Sequence, residues 1–241
     1  MHLEEFKAIL ANYHVSSQNK NILNKTKLVL LVAPTSVGRN TIIRQLIKTG
    51  KFDFIVSDTT RKPRINDGVQ ELNGVEYWFR RERDVLDDLK QGKFLEAAII
   101  HNQQVSGISV RELQRVSDEG KIGITDIEVV GVHNIIEAKP DTIAIFVLPP
   151  SFDEWMRRII GRGRLSDNEK LRRLVSAAEE FSAAINNDYY YFVLNDDLDH
   201  AANQIMEISV QKTVNTDEQV VLRKLAKQLL AQTKKHITEY K

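Results

Sequence analysis

The chain of 241 residues contains no cysteine. That excludes disulfides, a thiol nucleophile and any cysteine-ligated metal. Its charge has almost no sign: 34 Lys and Arg face 33 Asp and Glu, a formal net charge of +1. There is thus no global case for nucleic acid or a membrane surface as a partner. No apolar run approaches the length of a membrane span. The N-terminus carries Glu4 and Glu5 and no apolar h-region, so it is not read as a signal peptide. Internal repeats and low-complexity tracts are also absent. A cytoplasmic location is the expectation that suits this chemistry. What is present, 42% hydrophobic and 28% charged residues, is the balance of a soluble globular protein. The length allows one to two domains and a substantial core.

One stretch organises the rest. Leu28–Val32 reads as a buried strand, Ala33–Gly38 as a small polar turn, and Ile42, Ile43, Leu46 and Ile47 fall on one helical face. Strand, tight loop, helix is the context of a phosphate-binding loop, where successive N–H groups and a helix N-terminus face an anion. The spacing is that of the P-loop pattern G-x-x-x-x-G-K-[ST]. Gly38 matches it. Ala33 stands for the first glycine, Arg39 for the lysine and Asn40 for the hydroxyl residue. An ordinary turn between a strand and a helix looks the same, so the remaining chain has to decide.

Leu3, Phe6, Ile9, Leu10 and Tyr13 repeat at helical spacing, and Gln18–Lys27 reads as a polar connector. After the strand Phe52–Val56 comes Ser57-Asp58-Thr59-Thr60-Arg61-Lys62-Pro63-Arg64. Pro63 stiffens the backbone that presents Arg61 and Arg64. Guanidinium forks suit phosphate, although most basic loops are simply solvated. Residues 65–74 read as turns, 75–79 as a short strand, 82–90 as a helix and 94–100 as a strand. That last strand holds one acid, Glu96, either on an exposed face or aimed at a ligand. A helix at 110–116 precedes the strand Ile122–Val129, whose end places Asp126 and Glu128 on one face. In parallel α/β sheets such strand ends border the ligand crevice. A strand over 142–148 and helix 152–160 lead to Gly161-Arg162-Gly163-Arg164, read as a mobile loop carrying a cation. Helix 166–184 contains Arg173, strand 190–194 runs into Asn195, and helix 198–210 closes the unit. A linker at 213–216 leads to a last amphipathic helix. Alternating strands and helices predict an α/β fold with a mostly parallel sheet.

The order of features resembles the guanylate kinase family. Eight segments carry the resemblance in near-family spacing. They are S-x-T-T-R-x-P-R from Ser57, E-x-N-G-x-[DE]-Y-x-F over Glu71–Phe79, G-x-F-L-E over Gly92–Glu96, D-I-[DE]-V-x-G over Asp126–Gly131, F-x-L-P-P-S over Phe146–Ser151, G-R-G over Gly161–Gly163, R-R-L over Arg172–Leu174, and V-x-N-D over Val193–Asp196. The resemblance covers 28–210. It implies a parallel-sheet P-loop kinase core, a monophosphate-binding subdomain over 52–108 and a lid at about 155–175. Residues 1–27 and 211–241 are then helical additions and candidates for contacts between subunits. The implied reaction moves the ATP γ-phosphate to GMP or a related monophosphate, with Mg²⁺ as cofactor. By position, Ala33, Thr35, Ser36, Val37, Gly38, Arg39, Asn40, Thr41 and Asn195 would bind ATP, and Asn40 would reach Mg²⁺. Ser57, Arg61, Arg64 and Tyr77 would hold the acceptor phosphate. Glu96 would accept from the guanine N1 and N2 groups, with Glu128 near the acceptor. Arg39, Asp126, Arg162 and Arg173 would serve the transferring phosphoryl group. Positioning and charge neutralisation are what phosphoryl transfer needs.

The chain departs from the family in two places. In the P-loop, Ser36 also replaces a glycine, and a Cβ there is costly if the position needs φ > 0. Over Gln103–Ser109, where the family reads G-N-Y-Y-G-[ST], Ser106 replaces a tyrosine and Ile108 a hydroxyl that contacts the guanine carbonyl. The Arg64 to Glu71 spacing is longer than the family's. Two readings stay open: an active monophosphate kinase, slowed by its loop, and a binding module with little transfer. The surviving arginines and carboxylates favour the first, the altered loop the second.

Overall fold

The computed structural model describes residues 2–66, 68–100, 102–161, 166–211 and 213–239. Its elements begin with α1 (Leu3–Leu10), α2 (Lys20–Lys25), β1 (Leu28–Val32), α3 (Arg39–Lys48), β2 (Phe52–Phe54) and β3 (Asp58–Thr59). There follow β4 (Ile65–Asn66), β5 (Val69–Gln70), β6 (Trp78–Phe79), α4 (Glu82–Lys90), β7 (Phe94–Ile100), β8 (Gln104–Ser109), α5 (Val110–Asp118) and β9 (Ile122–Asp126). The last are α6 (Val129–Ala138), β10 (Ile143–Leu148), α7 (Phe152–Ile160), α8 (Asp167–Asn186), β11 (Tyr190–Leu194), α9 (Leu198–Gln211) and α10 (Thr216–Glu239). The fold is α/β, with parallel strands connected through helices. The chain divides into two compact units.

The first unit takes residues up to Leu28, Lys51–Thr125 and Val130–Thr142. β2 and β9 pair in parallel, while β6, β3, β8 and β7 form a sheet in that order. One face of this sheet is covered by α4 and α1. Phe6, Val85, Leu86, Leu89, Phe94 and Val105 pack there as one cluster, with Phe6 fully buried. Alternation along β8 sends Ser106 and Ile108 to the opposite face, where Ile108 stands across from Glu96. The Ser106 hydroxyl donates to Thr59 Oγ1 at 2.8 Å. A buried carboxylate on α5 ties the segments together: Glu112 accepts from the Val56 amide at 3.2 Å and the Trp78 indole at 2.9 Å.

The second unit takes Val29–Gly50, Asp126–Val129 and Ile143–Lys241. β1, β10 and β11 run parallel, with Val32, Phe146 and Phe192 in register. All five residues of β1 are buried, as a strand covered on both faces requires. The Phe146 ring lies 5.6 Å from that of Phe181 and 6.0 Å from that of Phe192. Ser151 and Ser166 cap α7 and α8 by accepting from the amides of Glu154 and Glu169. α10 packs on α8 through Leu222, Ala226 and Leu229. The Gln219 amide accepts from Phe192 N at 2.7 Å and donates to Phe192 O at 2.8 Å, occupying the open edge of β11 as a neighbouring strand would.

Four local expectations need correction. Gln18–Lys27 is not a mere connector: it holds α2, which buries Leu23 and is followed by buried Thr26. Within 65–74 a small hairpin forms, Ile65 opposite Gln70 and Asn66 opposite Val69. The strand expected over 75–79 contracts to Trp78–Phe79 because Val75 and Glu76 turn back onto Leu72, their amides donating to Leu72 O at 3.2 and 3.4 Å. Finally, β9 stops at Asp126 and α6 starts at Val129, so Glu128 lies in the connection and the two carboxylates share no strand face. The mobile loop expected at 161–164 falls mostly on residues outside those described.

Candidate functional site

The second unit supplies a phosphate-loop geometry. Buried β1 delivers Ala33 and Pro34 into a turn closed by the Val37 amide on Pro34 O at 3.3 Å. The carbonyls of Thr35 and Val37 are held by side chains. The Trp155 indole donates to Thr35 O at 2.8 Å, and the Asn195 amide donates to Val37 O at 2.6 Å. Arg158 Nη1 spans Val37 O at 3.3 Å and Asn195 O at 3.2 Å. Among the described residues, the amides of Ser36, Gly38, Arg39 and Asn40 meet no protein acceptor. Free amides running into a helix N-terminus are the groups that bind an anion where one is present. Gly38 sits at φ +107° with the Asn195 amide packed where a Cβ would be. Ser36 sits at φ +67°, and its buried hydroxyl lacks a partner. The position therefore does need a left-handed backbone, a cost of about 1–2 kcal/mol for a residue with a Cβ.

Arg39 opens α3 and its Nη2 reaches Asp126 Oδ2 at 3.0 Å, while its buried Nε has no acceptor. Beside it lies Glu180 of α8, whose carboxyl is pushed up to about 7 by burial, with the Arg39 charge opposing. Asn40 and Thr41 are exposed at the helix start. Glu128 is exposed in its connection. Arg173, half-buried on α8, is held by Glu169 at 2.9 Å. Arg162 lies outside the described residues. No three metal-ligating side chains cluster among the described residues. Asn40, exposed at the start of α3, offers an amide oxygen, a hard donor of the kind Mg²⁺ takes alongside water and phosphate oxygens.

The first unit supplies a cationic half-site. Arg61 pairs with both oxygens of Glu71, its Nη2 lying 2.8 Å from Oε1. The guanidinium stacks 4.8 Å from the Tyr77 ring centroid and 5.5 Å from that of Phe79. Arg64 contributes its amide to Glu71 at 2.8 Å and leaves its side chain exposed. Arg61 holds the Glu71 carboxyl down at about 2. Ser57 precedes β3 and accepts the Trp78 amide through its backbone carbonyl at 2.9 Å. Arg61, the Arg64 backbone and Tyr77 are thus brought together around one carboxylate. Glu71 was visible only as a letter of a longer pattern; the signal in sequence was its place ahead of Asn73 and Gly74, which shape the turn. Glu96 is apart from this cluster. It is 8% exposed, and burial alone pushes its carboxyl up to about 8. Its surroundings settle the choice left open by the sequence: the side chain is not on an exposed face.

Comparison with known proteins agrees with this geometry. The guanylate kinase family model matches residues 25–212. "Guanylate kinase 1" of Oryza sativa subsp. japonica is 36% identical over 176 residues, 72% of this chain and 45% of that one. The chain likewise spans 47% of "Guanylate kinase 1" of Arabidopsis thaliana, about half the length of each plant relative. "Guanylate kinase" of Trichormus variabilis is 35% identical over 185 residues, 76% of this chain and 89% of that one. The crystal structure of guanylate kinase from Anaplasma phagocytophilum superposes with a TM-score of 0.55 at 27% identity, covering 83% of this chain and 92% of that one. A loop with free amides at a helix N-terminus, an arginine clamped by Glu71 and a family model that matches most of the chain lead to one assignment: the chain belongs to the guanylate kinase family.

Proposed function

We propose that this chain transfers the γ-phosphoryl group of ATP to GMP. The observation that carries the reading is the loop after β1, which leaves the amides of Ser36, Gly38, Arg39 and Asn40 without a protein acceptor and holds the carbonyls of Thr35 and Val37 by side chains, despite Ala33, Ser36, Arg39 and Asn40. Backbone amides need no particular side chain to bind phosphate. Thr35, Val37, Gly38 and Thr41 would frame the nucleotide phosphates, Asn195 would fix the loop beside the base, and Arg39 would supply the positive charge. Bound Mg²⁺ would shield the phosphate oxygens, with Asn40 as its protein ligand. Ser57, Arg61, Arg64 and Tyr77 would hold the acceptor phosphate, and Glu96 would receive the donors of guanine. Arg162, Arg173 and Asp126 would steady the transferring group, with Glu128 near the acceptor. On this reading residues 28–210 are the catalytic domain, 52–108 its acceptor subdomain and about 155–175 its lid, working in the cytoplasm.

The test is a nucleotide panel with ATP and Mg²⁺ against GMP, dGMP, AMP, UMP and CMP. ADP formation should depend on GMP or dGMP. Tight GMP binding with no ADP from any acceptor would overturn the kinase reading and leave a binding module.

A further inference from the structure

Two complementary polar groups of the second unit are buried without a hydrogen-bond partner. Arg39 Nη2 lies 3.0 Å from Asp126 Oδ2, but its Nε–H is buried and meets no acceptor. Glu180 Oε2 is buried and meets no donor. The other oxygen of Glu180 has the Ser176 hydroxyl at 3.5 Å, one turn back on α8. Buried orphan groups are rare in native proteins, because each forfeits its hydration for nothing, and they call for a reason. Here the donor and the acceptor sense each other. Burial disfavours the Glu180 carboxylate, the Arg39 charge favours it and the like charge of Glu128 disfavours it again, so the three side chains lie within electrostatic reach. Their backbones are fixed. Arg39 follows Gly38 as the first residue of α3, and α8 is anchored by buried Ala177, Phe181 and Ala184 around Glu180.

Arginine at position 39 creates the need for such an acceptor. A lysine there would carry one charged nitrogen at the end of its stem, and a methylene where arginine has Nε. Arginine is a planar fork with donors on two edges. A phosphate that takes the Nη edge leaves the Nε edge to be satisfied by the protein. Asp126 does not serve that edge, since it sits on Nη2, one of the nitrogens a phosphate would claim. We propose that Glu180 is a positioning residue for Arg39: when a phosphate of ATP draws the guanidinium off Asp126, Glu180 Oε2 accepts from Arg39 Nε and fixes the plane of the fork toward the loop. One move then satisfies both orphaned groups. The claim rests on the kinase reading above for the ligand that Arg39 meets. It couples Glu180 to the arginine that stands where the P-loop pattern has lysine.

The test is calorimetric titration of the full chain with ATP and Mg²⁺, which reads binding without turnover. Glu180→Ala should raise Kd for ATP about tenfold, the worth of one hydrogen bond to a charged group. Glu180→Gln keeps an acceptor oxygen and should recover most of that affinity. In an Arg39→Lys background, where no Nε–H exists, Glu180→Ala should change Kd by less than about twofold, so the two substitutions are strongly non-additive. The midpoint of unfolding checks each variant; if Glu180→Ala does not fold, Glu180→Met fills the same space without an acceptor. A folded Glu180 variant with wild-type Kd for ATP overturns the assignment. So does an equal loss with Arg39 and with Lys at that position, which is what a merely structural glutamate would give. A wild-type chain that binds ATP and phosphorylates no acceptor overturns the kinase reading alone, because the Kd values still judge Glu180. A wild-type chain that binds no ATP overturns both.

Discussion

Glu71 grips Arg61 through both carboxylate oxygens while Tyr77 lies against the face of the same guanidinium. A planar fork held on its edge and its face has little freedom left. Arg61→Ala should weaken GMP binding by about 1.5–3 kcal/mol, the loss of a charge-assisted bond, with the fold intact. Glu71→Gln, which keeps the shape and drops the charge, should raise KM for GMP more than it lowers kcat. Steady-state kinetics and a thermal melt separate these effects. Unaltered GMP affinity in Arg61→Ala would place the phosphate elsewhere.

Glu96 should make acceptor binding depend on pH. Burial pushes its carboxyl up to about 8, so near pH 7 the empty site holds mostly the neutral acid. Guanine donors prefer the carboxylate, so KM for GMP should fall as pH rises through about 8 and level off above it. Stability moves the other way. A folded pKa above the unfolded one means that the native state binds the extra proton, and stability declines from the ordinary carboxylate value up to about 8. In Glu96→Gln both slopes should flatten; a persistent slope in KM would assign the titration to another group.

The strained loop gives a third test. Ser36→Gly removes a Cβ from a backbone at φ +67°, and the gain is partly offset by the greater freedom of glycine in the unfolded chain. The net should be a stabilisation of about 0.5–1 kcal/mol by denaturant titration. Combining Ala33→Gly, Ser36→Gly, Arg39→Lys and Asn40→Ser should raise kcat, because alignment and charge act together in one loop. A fourfold variant that binds ATP tightly but shows no gain would locate the slow step outside the loop.

Phe6 predicts how firmly the first helix is attached. It is fully buried in a cluster with Leu86, Leu89 and Phe94. Phe6→Ala should cost about 3–5 kcal/mol in the first unit. The chain has two tryptophans, Trp78 in that unit and Trp155 in the other. Denaturant titration followed by their fluorescence should show the earlier midpoint. A loss below about 1 kcal/mol would mean that α1 is only loosely docked.

The sequence disclosed the elements whose signal is local and repeated. The apolar run 28–32 and the 3.6-residue spacing after Gly38 define β1 and α3 without any neighbour. Where burial comes from one or two residues, the pattern fails. α2 buries little more than Leu23, so its polar letters read as a connector. β4 and β5 have two residues each, too few for any period. Glu128 was placed on a strand because Val129 looked like its continuation, whereas Val129 starts a helix that buries Val132 and Ile135. In the site, charge type pointed to Arg61 and Arg64 and singled out Glu96, whereas Tyr77 came only with the family resemblance. The clamp by Glu71 stayed hidden because a carboxylate in a loop reads as solvated until its partner is known.

The Gln219 side chain completes β11 from a helix that enters late in the chain. With that amide in place, Phe192 has no free N–H or C=O at the edge for a strand of another chain to pair with. Gln219→Ala should therefore uncover an edge and make the chain more prone to associate, as light scattering would read.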